Sequence, residues 1–235
     1  MNEHLSKQFD SELDDIRARL THMGGLVEEQ VRAATTAFAE GDAELVEKII
    51  ARDAEVDALE IEIDNICAHV VARRQPTAVD LRMIMAVSKT VTDLERIGDE
   101  AKKVAKATRK ILERGLATNT PQIMAVRHMG EQCAAMLHEV LNAFVRMDAE
   151  TALEIVRRDK EIDQHFRAIT RELVTYMMED PRTISTALDI IFSVKSMERI
   201  GDHCKNIAKD VIYIVKGRDV RHLSLDALEQ EAAAK

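Results

Sequence analysis

The sequence has few aromatic residues and few prolines. It contains no tryptophan, aromatic residues make up 3% of the chain, and only 3 prolines interrupt its 235 residues. At 46% hydrophobic residues it is too apolar for a disordered chain. Alanine, leucine, isoleucine, glutamate and lysine are plentiful instead, which favours a bundle of long helices.

Long apolar runs and an excess of basic residues are also missing. No segment approaches the roughly 20 apolar residues that a membrane span needs, and the N-terminus lacks the apolar stretch of a signal peptide. The net charge of −9 and the lack of a basic stripe with interleaved aromatics argue against binding to nucleic acid or to anionic membrane. The cysteines, Cys67, Cys133 and Cys204, are odd in number and widely spaced, so we expect reduced, buried thiols. Together these absences predict a soluble cytoplasmic protein.

Apolar residues recur at steps of three or four along most of the chain, as they do on amphipathic helices. The pattern predicts an all-α protein with six long helices. Four of them run from about Leu5 to Phe38, Asp42 to Arg74, Pro76 to Arg114 and Gln122 to Met147, and the last two begin at about Asp148 and Pro181. Gly24 and Gly25 should bend or loosen the first helix locally.

The second half of the sequence repeats the first. Asp148-Ala149-Glu150 repeats Asp42-Ala43-Glu44 at an offset of 148 − 42 = 106, and Pro181 repeats Pro76 at an offset of 181 − 76 = 105. A repeat of this length indicates duplication of a three-helix unit, so we expect two pseudo-symmetric three-helix bundles. The predicted domains are residues 1–115, residues 119–217 and a C-terminal tail of residues 218–235, with the boundary in a loop from Gly115 to Pro121.

Pairs of carboxylates four residues apart occur at matching places in the two halves. Glu95 and Asp99 lie in the third predicted helix, and Glu198 and Asp202 lie in the sixth. On a helix this spacing places both acids on one face, within reach of a single cation. The second and fifth helices carry further pairs with the same spacing, Asp53 with Asp57 and Asp159 with Asp163. A solvated, salt-bridged face explains one such pair, but two copies in matching positions favour a functional site.

A glycine lies inside each of the two main acid pairs, Gly98 in the first and Gly201 in the second. Glycine in a helix interior costs about 1 kcal/mol relative to alanine. Its recurrence at the same place therefore predicts a close approach of backbones there.

Several segments together resemble the PhoU family. These are the duplicated Glu-Arg-Ile-Gly-Asp motif at 95–99 and 198–202, the segment Pro76–Arg82, the segment Met23–Gln30 and Asn206-Ile207-Ala208. The resemblance extends from about residue 5 to residue 217. It implies six helices in two three-helix bundles, and metal ions held by acidic motifs.

Carried over position by position, the family's metal motif falls on eight acids: Glu95, Asp99, Glu198, Asp202, Asp53, Asp57, Asp159 and Asp163. Carboxylates gathered from neighbouring helices repel one another unless a cation lies among them. All-oxygen ligation suits Mg²⁺, Mn²⁺ or Fe³⁺ better than Zn²⁺. The first copy has Lys103 where the second has Asn206, so the two sites are expected to differ in occupancy. We expect His203 to lie on a solvated helix face rather than to bind metal, and Met83 and Met85 to fill the core.

The resemblance also implies a function. It implies a non-enzymatic regulator that links the phosphate ABC transporter, through its nucleotide-binding subunit, to a phosphate-sensing histidine kinase and represses the phosphate-starvation response. We expect a homodimer in the cytoplasm, recruited to the membrane only through these partners. The alternative is a di-metal helical-bundle enzyme, but such enzymes use Glu-x-x-His on two helices, and no glutamate stands three residues before a histidine here.

Overall fold

Six long helices form the protein. The computed structural model describes residues 2–115 and 121–223 together with residues 225, 227, 228 and 230, and the side chains of residues 2–6 and 121 are outside the description. The helices are α1 (Asn2–Glu40), α2 (Ala43–Arg74), α3 (Ala78–Glu113), α4 (Pro121–Arg146), α5 (Ala149–Glu179) and α6 (Ile184–Lys216), and a 3₁₀ turn, Pro181–Thr183, precedes α6. Since the described residues contain no strand, the predicted all-α class is confirmed.

The turns that open α2 and α5 are built alike. The Asp42 carboxylate accepts a hydrogen bond from the backbone N–H of Leu45, and the Asp148 carboxylate accepts from Glu150 and Thr151. An aspartate at this position satisfies backbone donors that the first helical turn leaves without partners, which stabilises a helix by about 1 kcal/mol. These two aspartates occupy matching positions in the sequence repeat, at the offset of 106.

The six helices divide into two halves that share one core. Helices α1, α2 and α3 contact one another, and so do α4, α5 and α6. The halves meet where α1 packs on α4 and α3 packs on α6. Their buried apolar side chains form a single continuous hydrophobic cluster. The two predicted three-helix bundles are therefore present, and they are joined along α3 and α6 rather than standing apart.

Glycines lie where helices approach closely. A Cβ atom placed on Gly201 lies 3.2 Å from Cγ2 of Ile162 in α5, and one on Gly98 lies 3.1 Å from Oε1 of Gln30 in α1. Such spacing is tighter than ordinary van der Waals contact. The close neighbours at both glycines are side-chain atoms of another helix, so the predicted close approach of backbones stays a prediction. Helix α1 continues without interruption through Gly24, where a Cβ atom would lie only 2.6 Å from Cδ2 of Leu141 in α4. Instead of the expected local loosening, α1 packs tightly against α4 at this point.

The segment after α6 packs back onto the bundle. Val220 and Leu228 are fully buried, and the Lys209 ammonium donates to the backbone carbonyl of Arg221 at 2.9 Å. The predicted domain boundaries remain predictions, because residues 116–120 of the proposed loop and most of residues 229–235 lie outside the described part of the chain. Among the described residues, no helix has the length and apolarity that crossing a membrane requires.

The cysteines are unpaired and buried as expected, and burial raises the pKa of the Cys133 thiol to about 12.

The two methionines that were expected in the core differ in burial. Met83 is buried in the core, whereas the side chain of Met85 is half exposed, so the prediction that both fill the core is wrong for Met85. Met85 lies near the start of α3, two residues beyond Met83, and this places it on the opposite side of the helix.

Candidate functional site

The acids of α2 and α3 converge in the first half of the molecule. We call the group formed by Asp53, Asp57, Glu60, Glu95 and Asp99 the first cluster. Burial raises the pKa of Glu95, and the negative charges of Asp99, Glu60, Asp57 and Asp53 raise it further. The pKa of Asp57 is raised in the same way, by burial and then by Asp53 and Asp99, against the opposing effect of Lys102. These mutual effects show that the predicted acid pairs of the first half lie together.

Glu60 belongs to this cluster although the sequence reading left it out. Burial raises its pKa, and the charges of Asp64 and Asp57 add to the rise, while a hydrogen bond with Thr92 and the charge of Arg96 oppose it. The sequence does contain a signal for Glu60, because it lies three residues after Asp57. This spacing places both acids on one face of α2.

A lysine lies between the two helices in the first cluster. The Lys102 ammonium donates a hydrogen bond to Asp53 of α2 and lies 3.8 Å from Oδ1 of Asp99. Lys103, which distinguishes the first copy of the motif from the second in the sequence, pairs its ammonium with Glu100 at 2.9 Å. Consecutive helical residues point about 100° apart, so Lys103 turns toward α6 while Lys102 turns toward α2.

We call the group formed by Asp159, Asp163, Glu198 and Asp202 the second cluster. It repeats this arrangement with more positive charge. The Lys205 ammonium donates to Oδ2 of Asp159 at 2.5 Å and to Oδ1 of Asp202 at 2.6 Å. The Lys195 ammonium pairs with Glu198 at 2.6 Å. Burial raises the pKa of Asp159 against the opposing effect of Lys205, and the charge of Asp163 adds to the rise. Lys205 repeats Lys102 at an offset of 205 − 102 = 103, which matches the offset of Glu198 from Glu95.

The two clusters therefore differ in charge. The position of Glu60 in α2 corresponds to Phe166 in α5, at the offset of 106 found between Asp53 and Asp159. The ammonium of Lys195 lies 5.2 Å from the centre of the Phe166 ring. The first cluster thus has five carboxylates and one bridging lysine, with Arg96 acting on Glu60, and the second has four carboxylates and two lysines.

The expected metal ion needs several oxygen donors gathered around one point. Within the described part of the chain, no three histidine, cysteine, aspartate or glutamate side chains lie close enough together to hold an ion. In both clusters a lysine ammonium lies between the acids of neighbouring helices. The first cluster supplies the carboxylate oxygens that hard cations prefer, but its described side chains are not gathered around a single point in this structure. Metal binding at the eight predicted acids stays a prediction.

A polar contact joins the halves where α3 meets α6. Nδ1 of His203 lies 2.7 Å from Oδ1 of Asp93, and both side chains are largely buried. His203 is therefore part of the contact between the halves, and the expected solvated position is wrong. Further along the same contact between α3 and α6, Arg199 reaches the buried carboxylate of Glu100 at 3.2 Å. Hydrogen bonds from Ser196, Lys103 and Arg199 outweigh the effect of burial and lower the pKa of Glu100. Its ionised carboxylate therefore links the two repeats.

Comparison with known proteins identifies the fold. The family model described as the PhoU domain matches twice, at residues 20–108 and 126–211. A crystal structure of PhoU from Pseudomonas aeruginosa superposes with a TM-score of 0.86 at 48% identity, covering 89% of this chain and 100% of that one. The structure of the phosphate transport system regulatory protein PhoU from Streptococcus pneumoniae gives a TM-score of 0.82 at 31% identity, covering 90% and 99% of the two chains.

Relatives of known name match over nearly the whole chain. The phosphate-specific transport system accessory protein PhoU homolog of Pseudomonas aeruginosa is 47% identical over 232 residues, covering 98% of this chain and 95% of the relative. The accessory protein PhoU of Escherichia coli (strain K12) is 44% identical, covering 100% of this chain and 96% of the relative. These names describe accessory and regulatory proteins rather than enzymes, which confirms the prediction that the chain is not an enzyme. The chain belongs to the PhoU family.

Proposed function

We propose that this protein is a regulatory adaptor that links the phosphate ABC transporter to its sensor histidine kinase and represses the phosphate-starvation response. The observation that carries the proposal is the full-length similarity to accessory proteins of phosphate-specific transport systems, since 98% and 100% of this chain are covered by two of them. An adaptor without chemistry of its own transmits a signal only by binding its partners differently in different states.

The proposed partners are the nucleotide-binding subunit of the transporter and the cytoplasmic sensory region of the kinase. Both lie at the inner face of the membrane, so the protein acts in the cytoplasm and is recruited there. A net charge of −9 opposes direct attraction to anionic lipid, which favours recruitment through protein contacts. We further propose that the protein acts as a homodimer.

The proposal includes a hard cation, Mg²⁺, Mn²⁺ or Fe³⁺, at the acidic clusters. Such an ion supplies positive charge that holds neighbouring carboxylates together. Its oxygen donors come from α2 and α3 in the first cluster and from α5 and α6 in the second. The stronger site is the first cluster, because five carboxylates face Lys102 and Arg96 there, whereas four carboxylates face two lysines in the second. The proposed ligands are Asp53, Asp57, Glu95 and Asp99 in the first cluster and Asp159, Asp163, Glu198 and Asp202 in the second.

Deleting the gene tests the regulatory role. A deletion strain is expected to express phosphate-starvation genes in medium rich in phosphate, and a plasmid copy of this chain is expected to restore repression. The measurement is a reporter of a phosphate-starvation promoter at high and low phosphate. Normal repression in the deletion strain contradicts the proposal.

Fractionation tests the proposed recruitment. Membranes that contain the transporter and the kinase should retain the protein, and membranes that lack both should not. Retention on protein-free vesicles of anionic lipid contradicts recruitment through partners, because it shows direct attachment to the bilayer.

A further inference from the structure

A positively charged cleft lies between α3 and α6, at the end of their groove away from the C-terminal segment. The cleft has a volume of about 450 Å³. Its lining includes five basic residues and one aromatic residue, which we call the basic cleft: Lys103, Lys106, Lys110, Lys195, Arg199 and Phe192. In a chain with a net charge of −9, this concentration of positive charge runs against the overall composition.

Only some of these basic residues form ion pairs within the protein. Lys103 and Arg199 pair with Glu100, and Lys195 pairs with Glu198. Lys106 and Lys110 are exposed, and neither forms an ion pair with another residue that the structure describes. They lie four residues apart on one face of α3, where like charges destabilise a helix by a few tenths of a kcal/mol.

The acidic residue that lines the basic cleft does not offset these lysines. Asp189 is buried and forms an ion pair with Arg114 at the end of α3. The cleft therefore carries a surplus of positive charge that the fold itself does not use.

The repeat provides an internal comparison. Lys102 and Lys205 occupy matching positions and bridge helices in both halves, as expected of residues that the fold requires. The opposite end of the α3–α6 groove is lined by Lys89, Arg96 and Arg221 together with the acids Asp93 and Asp210, which offset part of the positive charge there. Lys106 has a counterpart in Lys209 at the offset of 103, but Lys110 and Lys195 match Tyr213 and Thr92, so the repeated unit does not reproduce the basic cleft as a whole.

An apolar stripe continues from the basic cleft along α6. Phe192 is 63% exposed, and Leu188 and Ile184 are 41% and 42% exposed. At four-residue spacing they lie on one face of the helix, and eight residues cover about 12 Å. Single exposed apolar residues are ordinary, but a stripe that borders a polar, charged area is typical of a protein-binding surface.

We propose that the basic cleft and the apolar stripe dock an acidic, amphipathic segment of a partner protein. Carboxylates of that segment face Lys106 and Lys110, and its apolar side chains cover Phe192. A small anion satisfies the lysines but leaves the 12 Å stripe uncovered, so a polypeptide fits the surface better. This proposal rests on the adaptor function and names the surface by which the adaptor holds one of its two partners.

Paired charge reversals test the docking surface. The variant K106E/K110E is compared with R167E/R171E, which makes the same charge change at exposed positions four residues apart on α5. Binding of each variant to the purified nucleotide-binding subunit and to the kinase's cytoplasmic region is measured by biolayer interferometry. The expected result is a loss of at least tenfold in affinity for one partner with K106E/K110E, a change below twofold with R167E/R171E, and recovery with K106R/K110R. The wild-type affinity should also fall as salt rises.

The outcomes separate the docking surface from the adaptor function. If the wild-type protein binds neither partner, the adaptor function is wrong and the docking proposal falls with it. If wild type and K106E/K110E bind equally well, only the docking proposal is overturned. If K106E/K110E differs from the wild type only in its sedimentation, the surface binds a second copy of this chain. If it differs only in binding inorganic phosphate, the surface binds a small anion. Either result overturns the proposed occupant.

Discussion

Replacing Lys205 by methionine should leave a buried carboxylate without its counter-charge. Asp159 is 5% exposed, and its only ion-pair partner among the described residues is Lys205, at 2.5 Å. Breaking a buried ion pair by removing one partner costs about 3–5 kcal/mol. Because the Lys205 side chain is 24% exposed, solvent reduces this cost, and we expect a loss of about 2–3 kcal/mol in the free energy of unfolding.

The same pair predicts a coupled response in the double variant. In D159N/K205M both charges are absent, so the loss should shrink to about 1 kcal/mol or less. The loss in K205M should also shrink as pH falls. Without Lys205 the folded-state pKa of Asp159 lies further above its unfolded value, so the protonated acid stabilises the fold at low pH and this stability is lost as pH rises.

Urea unfolding followed by far-UV circular dichroism provides the measurement. K160M is the control, because Lys160 is an exposed lysine one residue after Asp159, and its removal should change stability by less than about 0.5 kcal/mol. If K205M is as stable as K160M, or if the losses in D159N and K205M add without coupling, the reasoning about the lysine bridge is refuted.

Three further variants test the electrostatics of Asp210 and of the two acidic clusters. Burial raises the pKa of Asp210 to about 7, so the free energy of unfolding of the wild-type protein should fall as pH rises from about 4 to 8. In urea unfolding, this fall should be smaller in D210N by roughly 2–4 kcal/mol. Parallel pH profiles for the two proteins would contradict the assigned burial. For metal, E95Q/D99N should lower the Mn²⁺-to-protein ratio after dialysis more than E198Q/D202N does, because the second cluster has two lysines. Equal ratios in both variants and the wild type would show that the acids form a solvated face.

The helices and the repeat could be predicted because their signals are local. Asp42 and Asp148 begin matching helices with the same hydrogen bonds that their sequence positions suggest. Gly98 and Gly201 indicated close packing because glycine inside a helix is unfavourable without a compensating contact. The grouping of the acids in the first half likewise followed from a spacing that places them on one helix face.

Contacts between distant helices could not be read from the sequence. An apolar seam shows that a helix is packed, but it does not show which helix covers it. The pairing of α3 with α6, and with it the contact of His203 with Asp93, therefore emerged only from the structure. The bridging lysines did have a signal, since Lys102 and Lys205 recur three residues after Asp99 and Asp202. Aligning the two repeats in full would have revealed them.

The most direct test of the adaptor function is assembly of the three-part complex. Purified tagged nucleotide-binding subunit is immobilised, and the kinase's cytoplasmic region is added with or without this protein. The account predicts that the kinase region is retained only when this protein is present, and that the amount retained rises with the amount added. Retention of the kinase region in its absence, or no retention in its presence, would contradict the proposed bridge.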